Sequence, residues 1–199
     1  MIQLELDTQY TLKVVPNDMT DEQFLQFCMT NKHMRIERDK DRNITIMPPV
    51  HLGSSKNETT VTSDLDMWAR KNGGEVFNAS AGYTLPSGAV LSPDASWVSQ
   101  ERYDKMPEDE MWKFAAVVPD FVVEVRSKSD RLKKVKAKMS EWMENGVRLA
   151  WLIDPKTKTT YIYRENGSIE VLEGFDRILT GEDVMEDFEF DLKWIKIHK

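Results

Sequence analysis

Two apolar strand-like runs with one amphipathic helix between them constrain this chain more than any other feature. Phe121-Val122-Val123-Glu124-Val125 is rich in β-branched and aromatic residues, and Val147 to Ile153 is a second strongly apolar run. Between them Leu132, Val135, Met139, Trp142 and Met143 recur at helical spacing and form one apolar stripe. Ser127 and Ser129 offer N-cap oxygens for that helix, and Gly146 supplies its C-terminal cap. A strand, a covering helix and a second strand make a unit that needs a sheet beneath it, so the fold class is α/β.

One residue in the first strand is out of place for burial. Alternation puts Phe121, Val123 and Val125 on one face and Val122, Glu124 and Arg126 on the other. A carboxylate in so apolar a strand is costly without a compensating cation. At about 100° per residue, Lys138 and Arg131 fall on the edge of the helix's apolar stripe, while Lys133 and Glu144 point away. Lys138 can lay its methylenes along the core and carry its ammonium towards the strand. A second acid, Asp94, stands in Ser92-Pro93-Asp94-Ala95-Ser96-Trp97-Val98, which reads as a turn leading into a strand. Two carboxylates at neighbouring strand ends suit a hard divalent cation such as magnesium, and a lysine can orient a water or a phosphate oxygen.

The runs LPSGAVLSPDASWVSQERY (85–103), VPDFVVEVRSKSDRLKKVKAKMSEWMENGVRLAWLIDP (118–155) and YIYRENG (161–167) resemble the Uma-type restriction endonuclease-like family, within the PD-(D/E)XK nuclease superfamily. The resemblance extends from about Met34 to Trp194. It implies a restriction endonuclease-like core, a mixed central β-sheet flanked by helices, here with N-terminal and C-terminal β-hairpin additions. It also implies a magnesium-dependent endonuclease acting on DNA, manganese serving as a substitute. By the same resemblance Asp94 and Glu124 match the two acidic metal ligands, and the backbone carbonyl of Val125 joins them. Lys138 matches a lysine that has moved from the strand to the following helix. The usual lysine position, two after the glutamate, holds Arg126, whose guanidinium stays charged at ordinary pH and can hold phosphate but not shuttle protons.

At 199 residues the chain is expected to be a single domain over 1–199, its core spanning about 34–175. No apolar run approaches the roughly 20 residues of a membrane span, and MIQLELDTQY lacks a signal-peptide core, which points to the cytoplasm. Cys28 is the single cysteine and reads as a small core residue of a helix opened by the capping box Thr20-Asp21-Glu22-Gln23. The net charge of −7 argues against a surface that coats nucleic acid generally. Residues 126–138 nonetheless carry seven cations against Asp130, which is either a solvated helix face or a local phosphate contact.

Elsewhere a strand is expected over Tyr10 to Val15, and a hairpin from Met34–Glu37 and Asn43–Met47. A loop follows over Val50 to Ser55, then a helix from Lys56 to Arg70 closed by Gly73-Gly74. Short strands are expected at Glu75–Asn78, Gly82–Leu85, Ala89–Leu91 and Ala95–Ser99, with Trp112 and Phe114 as packing residues beyond them. Thr160–Tyr163 and Ile169–Leu172 form a hairpin about Asn166-Gly167. Alternating Phe188, Phe190 and Leu192 finish an edge or cover a partner surface.

Several further residues have two readings. His51 is a loop histidine or a contact to substrate phosphate. Glu58 is an acid placed for the helix dipole or a third metal-site carboxylate. Asp120, four residues before Glu124, caps the start of the strand or points into the site. For the whole chain the alternative to an endonuclease is a catalytically inactive nuclease-fold binding or assembly module, and Glu124 with Lys138 can also be a structural ion pair. A homodimer is expected because cutting both strands of a duplex suits two-fold symmetry.

Overall fold

The computed structural model describes residues 19–197 in full and, as backbone, the strands β1 (Gln3–Leu6) and β2 (Leu12–Val15). Tyr10 and Thr11, the first residues of the strand expected there, lie outside the described residues. Next come α1 (Asp21–Thr30), β3 (Arg35–Arg38), β4 (Ile44–Met47), α2 (Leu52–Asn72) and β5 (Glu75–Asn78). β6 (Tyr83–Thr84), β7 (Val90–Leu91), β8 (Ala95–Val98), α3 (Gln100–Asp104) and a 3-10 turn (Glu108–Trp112) follow. The C-terminal part holds β9 (Phe121–Val125), α4 (Leu132–Glu144), β10 (Leu149–Asp154), β11 (Thr159–Arg164), β12 (Ile169–Glu173), β13 (Ile178–Thr180) and β14 (Glu189–Asp191). Among the described residues no helix is long and apolar enough to cross a membrane.

The residues group into two compact units. The first comprises the chain to Val50 with Ser80–Ser92 and Met106–Val117. Its sheet runs β1-β2-β4-β3-β7-β6, and the expected hairpin is β3 and β4 in antiparallel register. α1 starts at the capping box: the Thr20 hydroxyl accepts the Gln23 N–H, and the Gln23 side chain accepts the Thr20 N–H. It buries Phe24 and Cys28 against Ile36, Ile44 and Val90. Burial pushes the Cys28 thiol up to about 11, so this sulfur is an inert core atom. Phe114 packs on Phe24 with ring centroids 6.1 Å apart. Trp112 departs from expectation: it is 88% exposed, on the outside of the 3-10 turn that Lys113 and Asp109 hold by an ion pair.

The second unit comprises His51–Ala79, Pro93–Lys105 and the chain from Val118 onward. Its sheet runs β12-β11-β10-β9-β8-β5; β9 and β10 are parallel and every other neighbouring pair is antiparallel. The parallel pair follows from α4, since parallel neighbours need a crossover and the helix supplies it. Phe121, Val123 and Val125 join Leu149, Trp151 and Ile153 in one buried cluster with Val61, Leu65 and Ala69 of α2. Val122, Glu124, Ala150 and Leu152, by alternation, face α4.

α2 begins earlier than its composition suggests. The expected loop over 50–55 includes its first turn, with His51 as N-cap, although Gly53, Ser54 and Ser55 are weak helix formers. Tertiary contacts decide this. Buried Asn57 clamps the backbone of Lys196, donating to its carbonyl at 3.0 Å and accepting its N–H at 2.7 Å. At the other end Gly73 (φ 90°) and Gly74 (φ 79°) turn the chain where a Cβ on Gly74 would meet the Trp97 indole at 2.3 Å. The C-terminal tail covers its own sheet: Phe188, Phe190 and Leu192 are all buried, and Phe188 stacks on Trp151 at 5.8 Å. Alternation concealed this, because β14 is three residues long and the chain leaves strand geometry on both sides of it.

Candidate active site

The site forms where β8 and β9 run side by side and α4 packs across β9 and β10. Pro93 has no N–H to offer a ladder, so sheet pairing begins at the next residue. The Asp94 N–H donates to the Val123 carbonyl at 3.1 Å, and Asp94 Oδ2 accepts the Val125 N–H at 2.8 Å. The Asp94 carboxylate is thereby fixed on the β9 backbone immediately beside Glu124. Ala95 pairs with Val123 and Ser96 with Val122, so alternation sets Asp94 and Ser96 on the sheet face that carries Glu124. Asp94 is 8% exposed and Glu124 6%.

Glu124 is the one charged residue of a strand buried throughout. Its Oε1 accepts from the Trp142 indole Nε1–H at 3.1 Å and lies 2.8 Å from Lys138 Nζ. Lys138 and Trp142 are four residues apart on α4, hence neighbours on one helix face, and both reach the same carboxylate. Met139 and Trp142 are fully buried and seat the helix, and the Lys138 side chain keeps 17% of its surface exposed. A cation and an indole N–H together compensate a carboxylate that water no longer solvates. Trp142 was visible in the sequence as packing; its N–H contact was not. The signal was a tryptophan one turn beyond the lysine.

Arg126 sits elsewhere. Val125 pairs with Ile153 in parallel, which brings Arg126 beside Asp154, and Arg126 Nη1 donates to Asp154 Oδ2 at 2.7 Å. Asp154, with no exposed surface, also accepts from the Thr157 hydroxyl and the Lys156 N–H. Burial alone would raise the Asp154 pKa. The bonds from Arg126, Thr157 and Lys156 outweigh it and hold the carboxyl below its ordinary value.

Asp120 is at the opposite end of β9 from Val125, where it accepts the Ser99 N–H at 2.8 Å and pairs with Arg102 at 3.2 Å, tying down the start of the strand. Glu58 belongs to α2, whose buried side chains meet the other sheet face. His51 is exposed at the N-cap of α2 and makes no side-chain cap bond. The helix α4 also starts later than Ser127 and Ser129 suggest. Those hydroxyls lie 3.1 Å from each other and the Asp130 carboxylate accepts the Ser127 N–H, a local turn that competes with helix, so Arg131 is the N-cap. Among the described residues no group of three or more His, Cys, Asp or Glu side chains is placed to hold a metal ion.

A mixed sheet with one parallel crossover, flanked by helices and carrying two acids at adjoining strand ends, is a restriction endonuclease-like core. Comparison with family models agrees: the model of the Uma2 family, described as "Putative restriction endonuclease", matches residues 21–193. The chain belongs to that family. Among solved structures it is similar to a protein from Anabaena variabilis described as a "putative nuclease belonging to DUF820". The TM-score is 0.68 at 19% identity, covering 80% of this chain and 88% of the other, which is a likeness of fold. A comparison with curated proteins found no match.

Proposed function

We propose that the chain is a divalent-metal-dependent endonuclease that hydrolyses phosphodiester bonds in DNA, with Asp94 and Glu124 as metal-holding carboxylates and Lys138 as the cation at the reacting phosphate. The observation that carries this reading is the anchoring of the Asp94 carboxylate on the β9 backbone beside Glu124, where Lys138 meets Glu124 at 2.8 Å. Oxygen donors from two carboxylates fit magnesium, which needs only one or two such ligands and fills the rest of its shell with water and substrate phosphate. In this reading the Val125 carbonyl is a further oxygen ligand, from the residue whose N–H already meets Asp94. When bound there, the ion supplies a coordinated water of lowered pKa and offsets charge on the phosphate; manganese substitutes for it.

The residues of the chain do the rest. Trp142 fixes the rotamer of Glu124 through its indole N–H. Lys138 presents three donors on a flexible stem and is partly exposed, so its ammonium can turn from Glu124 to a phosphate oxygen or a water. In this reading Arg126 takes no part in the chemistry, because its guanidinium is engaged with buried Asp154. The single cysteine supports a reducing, cytoplasmic setting, and a homodimer would let two such sites address the two strands of a duplex.

Incubation of the purified chain with supercoiled plasmid tests the proposal. Nicked and linear DNA are expected with magnesium or manganese, and none in EDTA. Saturable DNA binding without cutting under any divalent ion would favour the inactive binding module instead.

A further inference from the structure

The cations of residues 126–138 do not share one surface. Lys136 lies over the Tyr161 ring at 3.9 Å, on the β11 side of α4, whereas Lys138 lies on the β9 side against Glu124. At about 100° per residue, Lys134 falls on the Lys138 edge, and Arg131 precedes it as the N-cap at the helix start. Four residues of helix rise about 6 Å, so Lys134 stands one turn before Lys138 on the edge that leads to the two carboxylates, with Arg131 as the N-cap beyond it. Exposed Lys133 stands off this edge, and Lys136 lies on the opposite one.

The helix dipole does not favour this placement. The positive end of a helix dipole is its N-terminus, where acids are favoured and cations are not. α1 follows that rule with Asp21 and Glu22 in its first turn and α3 with Glu101, while α2 has neither acid nor cation there. α4 has no acid there and carries Lys133 and Lys134 instead, in a chain of net charge −7. A cationic edge kept against the dipole, and leading to a buried acid pair, matches a polyanion lying along it.

We propose that the row Arg131–Lys134 is the track on which the phosphate backbone of DNA lies as it reaches Lys138, and that Lys133 and Lys136 take no part. This rests on the nuclease reading above and names where its substrate is held. The test measures binding of a labelled mixed-sequence duplex to the full chain in EDTA, over a range of salt concentrations. Each phosphate contact contributes close to 1 to the slope of log affinity against log salt. Arg131→Ala with Lys134→Ala is expected to flatten that slope by about 2 and to weaken binding roughly tenfold at about 0.1 M salt. The pair Lys133→Ala with Lys136→Ala is expected to leave the slope unchanged. Equal losses from both pairs, an unchanged slope in the first, or no duplex binding by the parent chain would each overturn the track. Plasmid cutting measured alongside separates the two failures. A parent that cuts while the first pair keeps its slope sinks the track alone, and a parent that binds through the row without cutting sinks the nuclease reading alone.

Discussion

Glu124→Gln is expected to lower the rate of metal-dependent DNA cleavage on the order of 10²–10³-fold, the scale on which loss of one well-placed electrostatic group acts. The substitution is chosen for what it keeps. Glutamine has the shape of glutamate, and its amide oxygen can still accept the Trp142 indole N–H now made to Glu124 Oε1. The negative charge facing a cation is lost, as is the ionic contact with Lys138. That ammonium is partly exposed and can turn to water, so folding stability should fall by only about 1 kcal/mol. Alanine is a poorer probe. It would leave the buried Trp142 N–H without its acceptor beside a cavity, and an unsatisfied buried donor costs about 1–3 kcal/mol before the lost packing is added. Steady-state nicking and a thermal melt, run on the same preparation, read both numbers. Were Glu124 and Lys138 only an ion pair holding α4 to the sheet, Glu124→Gln would cut DNA as fast as the parent.

Arg126→Leu should have the opposite signature. Asp154 has no exposed surface, and Arg126 is its charged partner at 2.7 Å. Removing the guanidinium leaves a buried carboxylate with the Thr157 hydroxyl and the Lys156 N–H, at an expected cost of about 3–5 kcal/mol at neutral pH. The pH dependence follows from the direction of the shift. In the parent the folded-state pKa of Asp154 is depressed, so its contribution is present above the unfolded value, 3.8, and is lost as pH falls through the lower folded value. Without Arg126 the burial that raises the pKa meets less opposition, and the folded value rises. The deficit of the variant relative to the parent should therefore be largest near neutrality and shrink as pH drops below about 4. Urea melts at pH 7 and pH 3.5 measure it. A deficit that is equal at both values, or absent at both, would show that the pair is not the anchor described here.

These two residues mark what the sequence made legible. Glu124 stood out because a carboxylate interrupts an apolar strand, and helical spacing on α4 sufficed to carry Lys138 towards it. The strand–helix–strand unit was legible for the same reason: periods of 2 and 3.6 are written in the apolar positions of 121–153. The partner of Arg126 was not legible. It lies 28 residues away and becomes a neighbour only once β9 and β10 pair in parallel, with Val125 beside Ile153. Local competition misled in two further places. The Ser127 and Ser129 hydroxyls serve a turn with Asp130 and not the helix, and the 3-10 turn at Glu108–Trp112 leaves Trp112 outside. The tail was missed because its apolar residues answer to Trp151 across the fold, which no local pattern reports.

The central claim is that Asp94 and Glu124 act as one cation site. Calorimetric titration of manganese into the full chain tests it most directly, since it needs neither substrate nor turnover. The parent should bind manganese saturably, and Asp94→Asn and Glu124→Gln should each weaken that binding at least tenfold while melting as folded proteins. Manganese bound equally well by all three, or by none, would contradict the account.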